Sequence, residues 1–217
     1  MYNITLVCTM HEKLGKCNAD ELYQIIDAIS PQVIFEELTK DLSDIAYKGP
    51  RHPKEPPEVE SIKRYLLNHN IQQIPVDIAL NYRVIDPQID FMLNSFNEYQ
   101  AYREIENEQY AMTEQYGFRF LNSNQYYELF ERKKNLEEDL INFSINKNQL
   151  TRIRKLFYEV QDTRETKWLE NVYEYSKKYS YEKAIFFCGA AHRKSIMQKI
   201  LELEAKESYK LNWTFYE

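Results

Sequence analysis

The residues best suited to chemistry in this chain are two histidines and a few acids, each placed just after a short apolar run. His11 follows Ile4–Cys8, the pair Glu36–Glu37 follows Val33–Phe35, Asp77 lies near the end of Ile71–Ile78, and His192 follows Ala184–Cys188. Imidazoles and carboxylates gathered at one point can hold a divalent metal and make its bound water acidic enough to act as a nucleophile. Without a metal, the same groups supply a histidine base oriented by a carboxylate. Each residue also has a plainer role open to it. His11 and His192 can cap or solvate a turn, and Glu36–Glu37 can be an exposed turn pair. His52, in a proline-rich stretch, and His69, at a helix end, suit such roles better.

The elements that must position these groups can be read from periodicity. Ile4–Cys8 and Val33–Phe35 are short, β-branched or aromatic runs expected to be buried strands. Between them, Asp20–Ile29 carries Leu22, Ile25, Ile26 and Ile29 at helical spacing, with Asn18 or Asp20 as the cap and Pro31 as the stop. Residues 39–57 hold four of the seven prolines, and are expected to form a loop or flap. Ser61–Asn68 reads as a helix and Ile71–Ile78 as a third strand. From Pro87 to Tyr179 the pattern is helical, ending in a helix over Thr163–Tyr175 with Trp168, Val172 and Tyr175 on one side. Ala184–Cys188 is a further strand, Lys194–Lys206 a helix, and Leu211–Tyr216 an edge strand.

Alternating strands and helices predict an α/β fold with a mainly parallel central sheet flanked by helices. The expected organisation is a single α/β domain over 1–217, with 87–180 as a helical insertion or lid. The two chain ends repeat one design of strand, turn, histidine and helix, and aligning His11 on His192 sets Cys8 against Gly189. In parallel sheets, ligands sit beyond the carboxyl ends of the strands, which is where all the candidates fall.

Composition narrows the function classes. The chain has 217 residues, 4 glycines and a formal net charge of -6. Its glycines are too scattered for a phosphate-cradling loop, so dinucleotide-binding and P-loop enzymes are excluded. The acidic balance opposes a nucleic-acid partner. No run approaches the roughly 18 apolar residues of a membrane span. The N-terminus has no signal-peptide pattern, and three cysteines without metal-type spacing suit a reduced, cytoplasmic protein.

Two segments resemble the TraB/Tiki superfamily, which includes erythromycin esterase-like and ChaN-like proteins. Leu6–His11 (LVCTMH), a helix and then PQVIFEEL (residues 31–38) resemble its opening strand, GTxH turn, helix and second strand. Thr163–Tyr175 and AIFFCGAAH (residues 184–192) resemble its closing helix and second GxxH. The resemblance implies that His11, Glu37 and His192 hold a divalent metal (Zn, Mn, Fe or Co) or act as acid and base. It implies that Arg164 leads the closing helix with Glu165 in the usual aspartate position. Cys8 departs from the pattern, standing where the first motif has glycine, and its side chain would crowd any close approach to that turn.

The resulting expectation is a metal-assisted hydrolase of a peptide, amide or ester bond. Catalytic residues would be His11, Glu36, Glu37, Arg164 and His192. Glu36 or Asp77 would orient the water, and Asp77 and Arg164 would meet the substrate. The proline loop and the insertion would wall a small-molecule or peptide substrate. The alternative is a non-catalytic member of the fold, binding haem or docking a protein through the insertion; homo-oligomerisation is left open.

Overall fold

The computed structural model describes residues 2–50, 54–79, 86–206 and 208–217. Its centre is a five-stranded sheet built from β1 (Asn3–Thr9), β2 (Val33–Glu36), β3 (Gln72–Pro75), β4 (Lys183–Gly189) and β5 (Asn212–Phe215). The strand order is β3-β2-β4-β1-β5, and every neighbouring pair is parallel. The protein is therefore an α/β protein with a parallel sheet. From Ala184 to Cys188, β4 is at most 2 % exposed, as expected of a central strand covered on both faces. At the edge, β5 alternates exposed and half-buried residues.

The connections decide where a site can form. From β1 the chain passes over β4 to reach β2; from β4 it passes over β1 to reach β5. The two central strands thus send their connections in opposite directions, which opens a crevice at their carboxyl ends. Right-handed crossovers place the two sets of helices on opposite faces. Accordingly α1 (Ala19–Ile29) packs with α3 (Pro57–Leu66), and α9 (Arg193–Lys206) packs with α8 (Lys147–Lys178). Asn18 caps α1, accepting hydrogen bonds from the Asp20 and Glu21 N–H groups, and the helix buries Leu22, Ile25 and Ile26 against the sheet.

Several boundaries differ from the sequence expectation. Residues 39–57 are not wholly a loop: α2 (Lys40–Lys48) forms there, capped by Thr39. The helix expected from Ser61 begins at Pro57, because proline is well suited to the first helical position, where no N–H partner is needed. The helix expected over Thr163–Tyr175 is the end of the 32-residue α8, roughly 48 Å long; no glycine or proline interrupts it. On α9, Ile196 and Ile200 are buried but Leu201 is 63 % exposed, so the apolar face is narrower than its spacing suggests. His52 lies outside the described residues. His69 stacks on Tyr65 with ring centroids 3.9 Å apart and lies against the Tyr65 carbonyl, at the end of α3.

Between β3 and β4 run α4 (Asp86–Asn97), α5 (Gln100–Tyr116), the short α6 (Phe118–Leu121), α7 (Asn124–Phe143) and α8. Met92, Phe96, Tyr102, Ile141, Leu150 and Ile153 form a small core of their own among these helices. Tyr102 and Tyr126 are buried, whereas Tyr99, Tyr110 and Tyr116 are exposed. Two glycines lock this region to the loop after β1. A Cβ on Gly15 would lie 2.3 Å from the Glu114 carbonyl, and one on Gly117 would lie 2.6 Å from the Lys16 carbonyl. Both have positive φ, so each position needs glycine for conformation as well as space.

Asn122 makes a second lock. β5 pairs with β1 only as far as Leu6; beyond it, the Asn122 side chain accepts from the Cys8 N–H (2.8 Å) and donates to the Cys8 carbonyl (2.9 Å). The Cys8 side chain is fully buried, with its sulfur 4.0 Å from that of Cys188. The sheet register sets Cys8 against Cys188 and Thr9 against Gly189, one residue from the motif alignment. Asn122→Ala leaves two buried backbone groups unpaired. We expect a loss of about 2–4 kcal/mol in folding stability, measured by urea denaturation.

Candidate functional site

The carboxyl ends of β1, β2, β3 and β4 bring together His11, Glu36, Glu37, Asp77 and His192, and α8 adds Arg164 and Glu165. The centre of the group is Glu37. Its Oε2 accepts from the Gly189 N–H (2.8 Å) and its Oε1 from Arg164 Nη2 (2.8 Å). Arg164 also donates to Asp77 through Nη2 (2.8 Å) and Nε (3.3 Å), and to Gln161 Oε1 through Nη1 (2.7 Å). Arg164 lies 4.8 Å over the Trp168 ring, and the Trp168 indole N–H donates to Asp77 Oδ1 at 2.6 Å. Asp77 and Arg164 are thereby bound to one another, and Arg164 to Glu37. They position Glu37.

The two histidines are held in the same way from opposite faces. His192 Nδ1–H donates to Glu165 Oε1 at 2.7 Å, and Ser195 donates to the other oxygen of Glu165. The His192 ring meets Trp168 edge-on, with centroids 4.9 Å apart. This fixes Nε2 as the lone-pair nitrogen of the neutral ring. It lies 3.8 Å from Glu37 Oε1, too far for a hydrogen bond. His11 pairs through Nδ1 with Glu58 Oε1 at 3.1 Å, while its side chain stays 58 % exposed. The hydrogen bond that His11 donates to Glu58 and the charges of Glu58 and Glu37 raise the His11 pKa from 6.5 to about 9, against the opposing effects of burial and Arg164. His11 is therefore an imidazolium at neutral pH.

Both rings surround Gly189. A Cβ placed on Gly189 would lie 3.5 Å from His192 Cδ2, 3.6 Å from Glu37 Oε2 and 4.0 Å from His11 Nε2. The Gly189 backbone is extended, with φ -60° and ψ 141°, so neither conformation nor steric clash demands glycine here; a methyl group would fill the space between the three side chains at ordinary contact distance. Gly15, in contrast, serves the lock on α5 and not the site.

Glu36 departs from its expected role. It is 3 % exposed and accepts a hydrogen bond from the Tyr47 hydroxyl on α2. Burial raises its pKa from 4.5 to about 8, aided by the nearby charge of Glu58; Tyr47 and the neighbouring Gln73 amide oppose this. Glu36 and Glu58 line a cavity of about 50 Å³ together with Thr9, His11, Glu37 and Leu38.

Three participants escaped the sequence reading. Glu58 sits in the first turn of α3, hidden among the prolines that suggested a loop. Trp168 reads as an ordinary core residue from its spacing. Ser195 lies one turn beyond His192 and carried no motif. The signal available for Glu58 was Pro56–Pro57 followed by an acid, a helix start with a carboxylate in its first turn.

The implied metal set fits this arrangement poorly. Glu37 already accepts from the Gly189 N–H and from the Arg164 guanidinium, whose fixed positive charge beside the carboxylate opposes a dication there. Among the described residues no group of three His, Cys, Asp or Glu side chains is arranged around a common point for a metal. Nor does the cavity at His11 hold a group as large as haem, since its volume approaches that of one or two water molecules. No family model matches the chain, and no curated protein or solved structure matches it.

Two measurements check these electrostatics. In an NMR titration, His11 should lose its proton near pH 9 in the wild type and at a pH shifted toward 6.5 in Glu58→Gln. For Glu36, the folded state holds the proton more tightly than the unfolded chain. Its contribution to stability is therefore full below pH 4.5 and is lost as pH rises through about 8. Glu36→Gln should gain on the wild type in thermal melts across that interval, with the difference vanishing at pH 4.5 and below.

Proposed function

We propose that the chain is a hydrolase of a peptide, amide or ester bond that works by imidazole acid–base chemistry. The observation that carries this reading is the pair of imidazoles, each held through Nδ1 by a carboxylate, on two sides of the open space over Gly189. In this reading His192 Nε2 takes a proton from water, and the resulting hydroxide attacks the carbonyl carbon. The His11 imidazolium donates a hydrogen bond to the oxyanion that develops. When the tetrahedral intermediate collapses, the proton on His192 passes to the leaving group. Glu165 holds His192 in the required tautomer, while Arg164 and Asp77 hold Glu37 against the Gly189 N–H.

A groove of about 750 Å³ supports a substrate of some size. It runs between α7, α8 and α9, with His192, Glu165 and Ser195 at one end and Phe130, Phe157 and Tyr158 further along. That volume is usual for small-molecule sites. The helices of the 87–180 region would thus form one substrate wall. The TraB/Tiki resemblance supports the same reaction class, although a shared fold does not fix an activity.

The test is turnover of aryl esters and amino-acid anilides by the purified protein. His192→Ala should lower the rate by about 10²–10⁴-fold. Gly189→Ala should keep the melting temperature and lose turnover, because its methyl group fills the space between the rings. Dialysis against EDTA should leave the rate unchanged. No turnover of any substrate, or a His192→Ala rate equal to the wild type, would sink the proposal. A rate lost to EDTA and restored by zinc or manganese would replace its acid–base form with a metal-assisted one.

A further inference from the structure

One stripe of α9 faces away from the core. Arg193, Met197 and Leu201 recur at i, i+4 and i+8, with Lys194 and Gln198 beside them. With Tyr126 and Tyr127 of α7 and the Ala190–Ala191 turn, they line a cavity of about 320 Å³. Two cations stand in it. Arg193 Nη1 donates to Met197 Sδ (2.8 Å) and Nη2 to the Tyr216 carbonyl (3.3 Å), while its Nε is buried without a hydrogen bond. A thioether is a weak acceptor, so this guanidinium has given up water without gaining an anion. Lys194 donates to the Tyr127 hydroxyl and lies 4.0 Å over that ring. Among the described residues neither cation pairs with a carboxylate, no acid lines the cavity, and none stands in the first turn of α9. The chain has 34 acidic against 28 basic side chains. Two adjacent cations left without one of those acids, in one cavity, mark a place for an anion from outside.

We propose that this cavity binds the carboxylate of an amphipathic ligand, with Arg193 and Lys194 as its cations and Tyr126, Met197 and Leu201 against its apolar body. A guanidinium fork matches the two oxygens of a carboxylate, and the ammonium adds a point charge. The Met197 sulfur is the acceptor that the carboxylate would displace. The start of α9, a 14-residue helix, adds the partial positive charge of its first N–H groups. The apolar walls suit a singly charged group on a hydrocarbon body, and they oppose a free phosphate, which needs donors on every side. Leu201, 63 % exposed, serves as one of these walls. The volume is usual for a small ligand. Ala191, Lys194 and Gln198 also line the groove that ends at His192, so the cavity is a side branch of that groove. Under the hydrolase reading, on which this last step rests, the substrate is an ester or amide that carries a free carboxylate as well as the bond to be cleaved.

The experiment is an equilibrium titration of the full chain with sodium 3-phenylpropanoate at constant ionic strength, followed by NMR of the backbone amides of Ala190, Ala191, Arg193 and Lys194. 3-Phenylpropanamide serves as the neutral isostere and inorganic phosphate as the second anion. We expect saturable shifts at these amides with the carboxylate, and binding of the neutral amide weaker by on the order of tenfold or more. Arg193→Gln should weaken carboxylate binding by about the same factor, and Lys194→Gln by less, because the exposed ammonium is screened by water. Absence of saturation, saturating shifts confined to other parts of the molecule, equal binding of the neutral amide, unchanged affinity in Arg193→Gln, or tighter binding of phosphate would each overturn the inference. The comparison of acid and amide on the wild type needs no variant to fold. Binding is read without turnover, so the two readings fail separately. Turnover with no carboxylate binding removes only this inference; carboxylate binding with no turnover removes only the hydrolase.

Discussion

One guanidinium organises the carboxyl-terminal edge of this sheet. Arg164, from the middle of a 32-residue helix, bonds to Glu37 just after β2 and to Asp77 after β3. Through Glu37 it is linked to the Gly189 N–H at the end of β4. Three strand ends and one helix therefore share one charge network. The side chains are largely buried, with 13 % exposure for Arg164 and 8 % for Glu37 and Asp77. At that burial a pair persists only when its hydrogen bonds are nearly complete. A planar fork satisfies two carboxylates at once, which the single point charge of a lysine would not.

The two histidines lie on either side of this network. They follow the two central strands, whose connections leave in opposite directions, so each imidazole takes its carboxylate from a different helix. Glu58 comes from α3 and Glu165 from α8. The environments differ: the His11 side chain is 58 % exposed and that of His192 13 %. The acid beside His11 favours its protonated ring, and Glu165 fixes the orientation of the His192 ring through Nδ1.

The helical region between β3 and β4 is tied to this edge of the sheet. Asn122 completes the edge of β1 where β5 stops, and the two positive-φ glycines fasten α5 to the loop that leads from His11. The groove that ends at His192 is walled by α7, α8 and α9. Because α8 carries Arg164 and Glu165 as well as the groove wall, the same rigid element sets the polar centre and the space beside it.

Much of the framework was legible in the chain itself. Short apolar runs at Ile4–Cys8, Val33–Phe35 and Ala184–Cys188 specify buried parallel strands, and the 3.6-residue spacing of Leu22, Ile25 and Ile26 specifies α1. Strand ends then locate His11, Glu37, Asp77 and His192 in one region, since periodicity is a local property of sequence. Pairing is not local. Whether Arg164 pairs with two acids, whether Glu36 pairs with Tyr47 on α2, and whether His11 finds Glu58 47 positions away depend on which elements become neighbours. Sequence alone determined the alternation of strands and helices and the sheet edge at which His11, Glu37, Asp77 and His192 gather. Tertiary structure decided the partners of each group, because those follow from burial and distances that exist only once the sheet has closed.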